Sequence, residues 1–417
     1  MMACASAMRG FMAGACRQTL EIAALLPLMR PLTHGREATT PQKMPAITRL
    51  SLRDFRSYAD LSVDVSAPIV ALAGENGAGK TNVLEAISLL APGRGLRRAE
   101  FADMARGGGA GGFAVSVTLD DDTQIGFGLG EPDEAGRRSR IQRINGAPSP
   151  NLTAATEHAR VVWLTPEQDG LFRGSAGDRR RFLDRFVLAI DAEHGARVNA
   201  LERALRDRNR ILEERAHDTG WLDAVERQVA ELGVAVAAAR AETVNRLGGL
   251  IAETRDDASP FPFAVLALEG EIDALVASLP AVDAEDQYRM LLRQARARDK
   301  AAGRTLIGPQ ASDLVARHGP KDMPAGQGST GEQKALLVGL VLAHARLVQA
   351  MSGIAPIVLL DEIAAHFDPR RRAALYVALG DLGAQVWMTG ADETLFSDLP
   401  AGAARFVVTP GNLHPLR

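Results

Sequence analysis

Cysteine is nearly absent from this chain of 417 residues: Cys4 and Cys16 are its two, and none follows. The body beyond residue 43 therefore has neither disulfides nor cysteine-based metal sites, as expected of a protein of the reducing cytoplasm. Long apolar runs are also missing, since no stretch approaches the roughly 20 apolar residues that span a bilayer, and no membrane association is expected. There is no excess of positive charge; the net value of −3 excludes a globally basic nucleic-acid binder. Any DNA affinity must come from local patches or from a ligand-driven conformation. Proline is missing between Pro166 and Pro260, which favours long helices there. What is present is ordinary globular composition, 46% hydrophobic and 24% charged, at a length that suits two domains or one with a large insertion.

Residues 1–43 stand apart. They carry five basic residues against Glu21 and Glu37, so the body alone has a net charge of −6. Their apolar run Ile22–Met29 is broken by Pro27 and leads to no convincing secretory cleavage site. Met44-Pro45-Ala46-Ile47 reads as the start of a first strand, and the segment before it is expected to be a disordered extension.

Residues 74–81 read GENGAGKT, a full match to G-x-x-x-x-G-K-[ST]. The apolar run Ile69–Ala73 precedes it and a helix start, Asn82–Ile87, follows, which is the strand–loop–helix context the motif requires. Backbone N–H groups along Gly74, Glu75, Asn76, Gly77, Ala78 and Gly79 are expected to cradle phosphate at a helix N-terminus. Lys80 is expected to reach the β/γ-phosphates of ATP and to act in its hydrolysis, and Thr81 to take one Mg²⁺ position.

Alternation predicts two or three strands from Ile47 to Ala73, a hairpin over 113–129 turning at Asp120–Asp122, and a further arm at Arg140–Ile144 turning at Asn145-Gly146. Helical spacing over Asn199–Arg215 and Trp221–Thr254 predicts an inserted helical lobe, too short for a coiled-coil arm. Strand-like Phe261–Leu268 and a helix around Gln287–Lys300 come next. The arginine clusters are Arg94, Arg97 and Arg98; Arg137, Arg138, Arg140 and Arg143; and Arg179, Arg180, Arg181 and Arg185. The triplets Arg94/Arg97/Arg98 and Arg179/Arg180/Arg181 are the candidates for DNA phosphate contacts, with interlobe salt bridges the alternative for the second.

Residues 357–362, IVLLDE, read as a buried parallel strand that delivers two carboxylates at its C-terminal edge. Asp361 is expected to serve Mg²⁺ through water, and Glu362 to act as general base. Upstream, Gly326–Lys334 (GQGSTGEQK) opens an apolar helix about where ATP-binding-cassette ATPases carry their signature motif, and His366-Phe367-Asp368-Pro369 resembles their D-loop.

Together with ITRLSLRDFRSY, TPEQDGLFRGSAGDRRRFLD, RNRILEE and IGPQASDL, these segments resemble the RecF family of bacterial recombination mediators from about Met44 to the C-terminus. That family resembles the heads of the Rad50 and SMC proteins. The resemblance implies an α/β, P-loop ATP-binding-cassette-type ATPase head with a mixed sheet, plus an inserted mainly helical lobe. The implied division is 44–175 for the first ATPase lobe, 176–304 for the helical lobe and 305–417 for the completing segment. It further implies an ATP-dependent homodimer in which Ser329 and Gly331 meet the partner's nucleotide, with Asp368 and Gln168 beside ATP. DNA at single-strand/double-strand junctions, RecR, RecO and, indirectly, the RecA recombinase are the implied partners. Two departures stand out. Gly308-Pro309-Gln310-Ala311 replaces the family's G-P-H-R, and Trp387-Met388-Thr389-Gly390 occupies the switch-histidine strand end. Thr389 there can hydrogen-bond a γ-phosphate or water but cannot act as a charged sensor. A transporter ATPase subunit and an SMC-like tethering protein are the rival readings; the first needs a membrane partner and the second an arm.

Overall fold

The computed structural model describes residues 44–130, 132, 136, 138–151 and 153–416; the expectation for residues 1–43 lies outside them, as does Arg137. Its helices of eight or more residues are α1 (Lys80–Ser88), α2 (Ala176–Ile190), α3 (His194–Glu214), α4 (Thr219–Glu253), α5 (Glu271–Ser278), α6 (Ala281–Ala302), α7 (Thr330–Ser352) and α8 (Pro369–Gly380).

β1 (Ile47–Phe55) and β2 (Tyr58–Asp64) form an antiparallel pair that buries Leu50, Leu52, Leu61 and Val63 and exposes Arg53, Ser62 and Asp64. This is the period of two that one solvated face imposes. β4 (Ala114–Leu119), β5 (Gln124–Leu129), β6 (Arg140–Ile144) and β7 (Ala147–Pro148) extend the sheet in the order β2-β1-β4-β5-β6-β7. The β6–β7 turn has Asn145 at φ 51° and Gly146 at φ 81°, the left-handed pair that tight hairpins prefer.

The second sheet is parallel. β3 (Ile69–Ala73), β8 (Val161–Leu164), β12 (Ile357–Leu360), β13 (Val386–Gly390) and β14 (Ala404–Thr409) lie in the order β14-β3-β13-β12-β8, with antiparallel β15 (Asn412–Pro415) at the β14 edge. Every residue of β3, β8, β12 and β13 is buried, as a sheet covered on both faces requires. Val70, Leu72, Leu359 and Trp387 pack with α1 and the antiparallel sheet. Ala71, Val358, Leu360 and Met388 pack on the opposite face with α7 and α8. Gln385 joins the two sheets: its Oε1 accepts from Ile47 N (2.8 Å) and Trp387 Nε1 (3.0 Å), and its Nε2 donates to Ile47 O (3.0 Å).

Among the described residues α7 alone has the length and mean hydropathy, 1.6, of a membrane span, which the sequence reading did not anticipate; 67% of that window is buried inside the protein. It is a core helix. Its His344 stacks on Phe186 at 3.7 Å and donates through Nε2 to Phe186 O (3.0 Å). Burial pushes the His344 pKa down to about 3, so the folded protein refuses a proton that the unfolded chain accepts below about pH 6.5. Stability must therefore fall as pH drops through the unfolded value. Between pH 7.5 and 5.5 this one residue should remove about 1.4 kcal/mol. Urea unfolding of wild type and His344→Gln at both pH values checks it: the variant should lose less on acidification, and equal losses would refute the assignment.

The inserted helices make their own core of Leu201, Val229, Val234, Ile272, Tyr288 and Leu292. Arg208, fully buried there, donates to Glu226 (3.1 Å), Asp299 (2.8 Å), Thr305 Oγ1 (2.7 Å) and Leu292 O (2.8 Å). A buried guanidinium survives only with its donors satisfied, so the polar RNRILEE segment has a packing role. β9 (Ala264–Glu269), β10 (Asp313–His318) and β11 (Met323–Pro324) form a small antiparallel sheet.

Candidate functional site

The phosphate loop runs from the end of β3 into α1. Gly79, its last residue, sits at φ 114°, and a Cβ there would lie 2.8 Å from the Tyr58 hydroxyl, which donates to Gly79 O at 3.1 Å. Only glycine fits that approach. Gly77, at φ 85°, has nothing within 4 Å of a Cβ, so the loop's crest is open.

Lys80 is 3% exposed and its Nζ donates to Gly74 O (2.6 Å) and Glu75 O (2.9 Å), curling over the loop. Desolvation lowers its pKa from the ordinary lysine value, while Glu362 and Asp361 pull it back up. Asp361 follows the last residue of β12. Thr81 Oγ1 donates to both its oxygens, at 3.0 and 3.1 Å, across 280 residues of sequence. The motif's hydroxyl and the acidic strand thus meet, although no group of three or more His, Cys, Asp or Glu side chains fit to hold a metal occurs among the described residues. One hydroxyl and one carboxylate fit Mg²⁺, which keeps water and substrate oxygens for its remaining positions.

Thr389 Oγ1 donates to Asp361 Oδ1 (2.7 Å) and accepts from Glu362 N (2.9 Å). Its one hydrogen is committed to Asp361, which leaves none to donate to a γ-phosphate. Glu362 has left-handed backbone, φ 55° and ψ 16°.

The signature segment caps α7. Ser329 Oγ accepts from Glu332 N (3.3 Å) and donates to Glu332 Oε2 (2.9 Å), and Lys321 pairs with the same carboxylate. Lys321 and the Ser329 donors hold the Glu332 pKa down at about 2. Ser329 is exposed, and Gly331 lies near the Arg371 guanidinium, 3.5 Å from a Cβ placed there. Arg173 donates to Gly326 O (3.0 Å) and Gly328 O (2.8 Å), and Lys334 pairs with Asp169 (2.8 Å). The signature loop is therefore clamped to the segment after β8, and no hydrogen bond among the described residues joins it to the phosphate loop. Asp368 caps α8 through Arg371 N (2.9 Å). Gln168 turns back to accept from Thr165 N (3.1 Å).

The arginines divide. Arg179 forms a bidentate pair with Asp313 (2.7 Å to each oxygen) and Arg180 donates to Ser312 O (2.6 Å), so both tie α2 to the start of β10. Arg181 pairs with Asp178 and Arg94 with Glu100 at the surface. Arg97 reaches Asn82 (2.7 Å) and Glu85 (3.0 Å) on α1. Arg98 is exposed, and no ion pair to it occurs among the described residues. Sequence reasoning missed Glu85: fully buried between Arg56 and Arg97, it links the helix after the phosphate loop to both. The available signal was an acidic residue one turn after Thr81, on the helix face turned inward. It also missed the Arg173 and Lys334 clamps, which no local pattern announces.

The profile of the RecF/RecN/SMC N terminal domain matches residues 46–406. A DNA replication and repair protein RecF from Mesorhizobium japonicum is 54% identical over 376 residues, which is 89% of this chain and 99% of the relative. Two solved structures of the recombination mediator protein RecF in the RecFOR pathway share the fold at 20% identity. The RecF-ATPrS structure has a TM-score of 0.77, covering 90% of this chain and 100% of that one; the RecF-ATP structure has 0.72, covering 89% and 99%. The motifs, the head fold and these likenesses agree, and the chain belongs to the RecF family.

Proposed function

We propose that this chain is a Mg²⁺-dependent ATPase that dimerises on ATP, binds DNA at single-strand/double-strand junctions in the cytoplasm, and assists recombinase loading. The observation that carries the reading is the meeting of Lys80 and Thr81, at the start of α1, with Asp361 and Glu362, just past the end of β12. The phosphate loop from Gly74 to Gly79 would hold the phosphates through its N–H groups, with Lys80 as counter-charge. Thr81 and Asp361 would hold Mg²⁺, which when bound neutralises developing phosphate charge. Glu362 accepts a proton from water as general base. Ser329, exposed, and Gly331, half-buried, are remote in bonding from their own phosphate loop and suit a partner's nucleotide, with Asp368 capping the helix that follows the D-loop. Gln168 lies on the adjoining turn. Loading of RecA through RecR and RecO rests on membership of the family.

Backbone phosphates are the expected DNA contact, made by Arg94, Arg97 and Arg98, with Arg181 the surface member of the second triplet. Arg179 and Arg180 were candidates on sequence, but their bonds to β10 favour the interlobe reading. The experiment is ATP turnover and binding with gapped and with fully duplex DNA across a salt series. Gapped DNA should stimulate turnover more. Alanine at Arg94, Arg97 and Arg98 together should weaken binding similarly across sequences and flatten the salt slope by about two to three. An unchanged slope with intact folding would move the DNA surface elsewhere.

A further inference from the structure

The end of β13 is the point at which both halves of the site are tied. Leu360 pairs with Met388 in the parallel ladder, so the next residues, Asp361 and Thr389, stand side by side. Beyond them the ladder stops, because Glu362 turns into left-handed backbone, a region unfavourable to residues with a Cβ. Its N–H needs an acceptor there and finds the Thr389 hydroxyl at 2.9 Å, in place of a strand carbonyl. The single hydrogen of that hydroxyl goes to Asp361 Oδ1 at 2.7 Å. One residue later, Gly390 O accepts from Gly74 N, the first N–H of the phosphate loop, at 3.3 Å. Thr389 is fully buried, so water cannot substitute for either bond without rearrangement.

We propose that Thr389 is the positioning residue of the acidic pair: its hydroxyl aims the Asp361 carboxylate and fixes the strained Glu362 backbone, governing turnover and leaving nucleotide affinity nearly unchanged. The proposal rests on the ATPase reading. It differs from a switch residue at this strand end, which would touch the nucleotide itself. Thr389 acts through two neighbours and has no donor left to offer.

Thr389→Val keeps the branched shape and deletes both bonds, while Thr389→Ser keeps the hydroxyl. Turnover by Thr389→Val should fall on the order of 100-fold, the scale of a misplaced reacting group, with ATP-analogue affinity within about threefold of wild type. Thr389→Ser should recover most of the rate. Amide hydrogen exchange of the segment 357–366, measured without nucleotide, supplies a readout independent of activity: Glu362 N–H should lose protection in the valine variant and keep it in the serine variant. Wild-type turnover by Thr389→Val, or unaltered exchange at Glu362, overturns the proposal. So does a tenfold or larger loss of affinity, since the residue would then contact nucleotide. A wild-type protein that hydrolyses no ATP contradicts the ATPase reading alone, and exchange still decides the positioning role.

Discussion

Lys80→Ala is expected to weaken ATP binding by at least about 30-fold. Lys80 is 3% exposed as a residue and its ammonium is bonded to Gly74 O and Glu75 O, so it is preformed over the loop. No other cation bonds to that loop among the described residues, and the nearby charges that act on Lys80 are the carboxylates of Glu362 and Asp361. Its removal would leave those two anions facing a polyphosphate with no side-chain cation bonded at the loop. Truncating one member of a desolvated charge pair costs about 2–5 kcal/mol, or roughly 30- to 5,000-fold in affinity. Equilibrium titration with a fluorescent ATP analogue checks this, and wild-type affinity would remove the assignment of the site.

Glu362→Gln should separate binding from chemistry. The amide keeps the side chain's size, and the backbone bond from Glu362 N to Thr389 is untouched, so the local turn persists. What disappears is the proton acceptor. Loss of a positioned general base slows turnover by about 100- to 10,000-fold, with nucleotide affinity retained. Single-turnover hydrolysis measures it, and a wild-type rate would place the base elsewhere.

The parts of the site that the sequence discloses are those built from adjacent residues. Glycines at 74, 77 and 79 with Lys80 and Thr81 declare a backbone cradle, because positive φ and a helix start are local requirements. The α/β head is legible for the same reason, since uninterrupted apolar runs such as Ile69–Ala73 and Ile357–Leu360 describe buried parallel strands. Which strands become neighbours is another matter. β8 pairs with β12 and β13 with β3 through registers that loop lengths do not encode. Side-chain commitments are likewise set by tertiary packing: Thr389 looks free to meet phosphate until Asp361 is placed 2.7 Å away. The arginines of 179–181 look like one basic patch, yet α2 docks against β10 and spends Arg179 and Arg180 internally. Gln310 is similar. Set in the loop before β10, its Nε2 donates to Ile307 O (2.8 Å), a bond within that loop.

The shared site is tested most directly by sedimentation equilibrium of Glu362→Gln with Mg²⁺ and ATP. The account predicts a shift from the 44.4 kDa monomer to twice that mass with ATP and no shift with ADP. It also predicts that adding Ser329→Arg restores the monomer while nucleotide binding persists, because the new cation sits where the partner's nucleotide must enter. A Glu362→Gln protein that stays monomeric with ATP bound, or a Ser329→Arg dimer of undiminished stability, would contradict it.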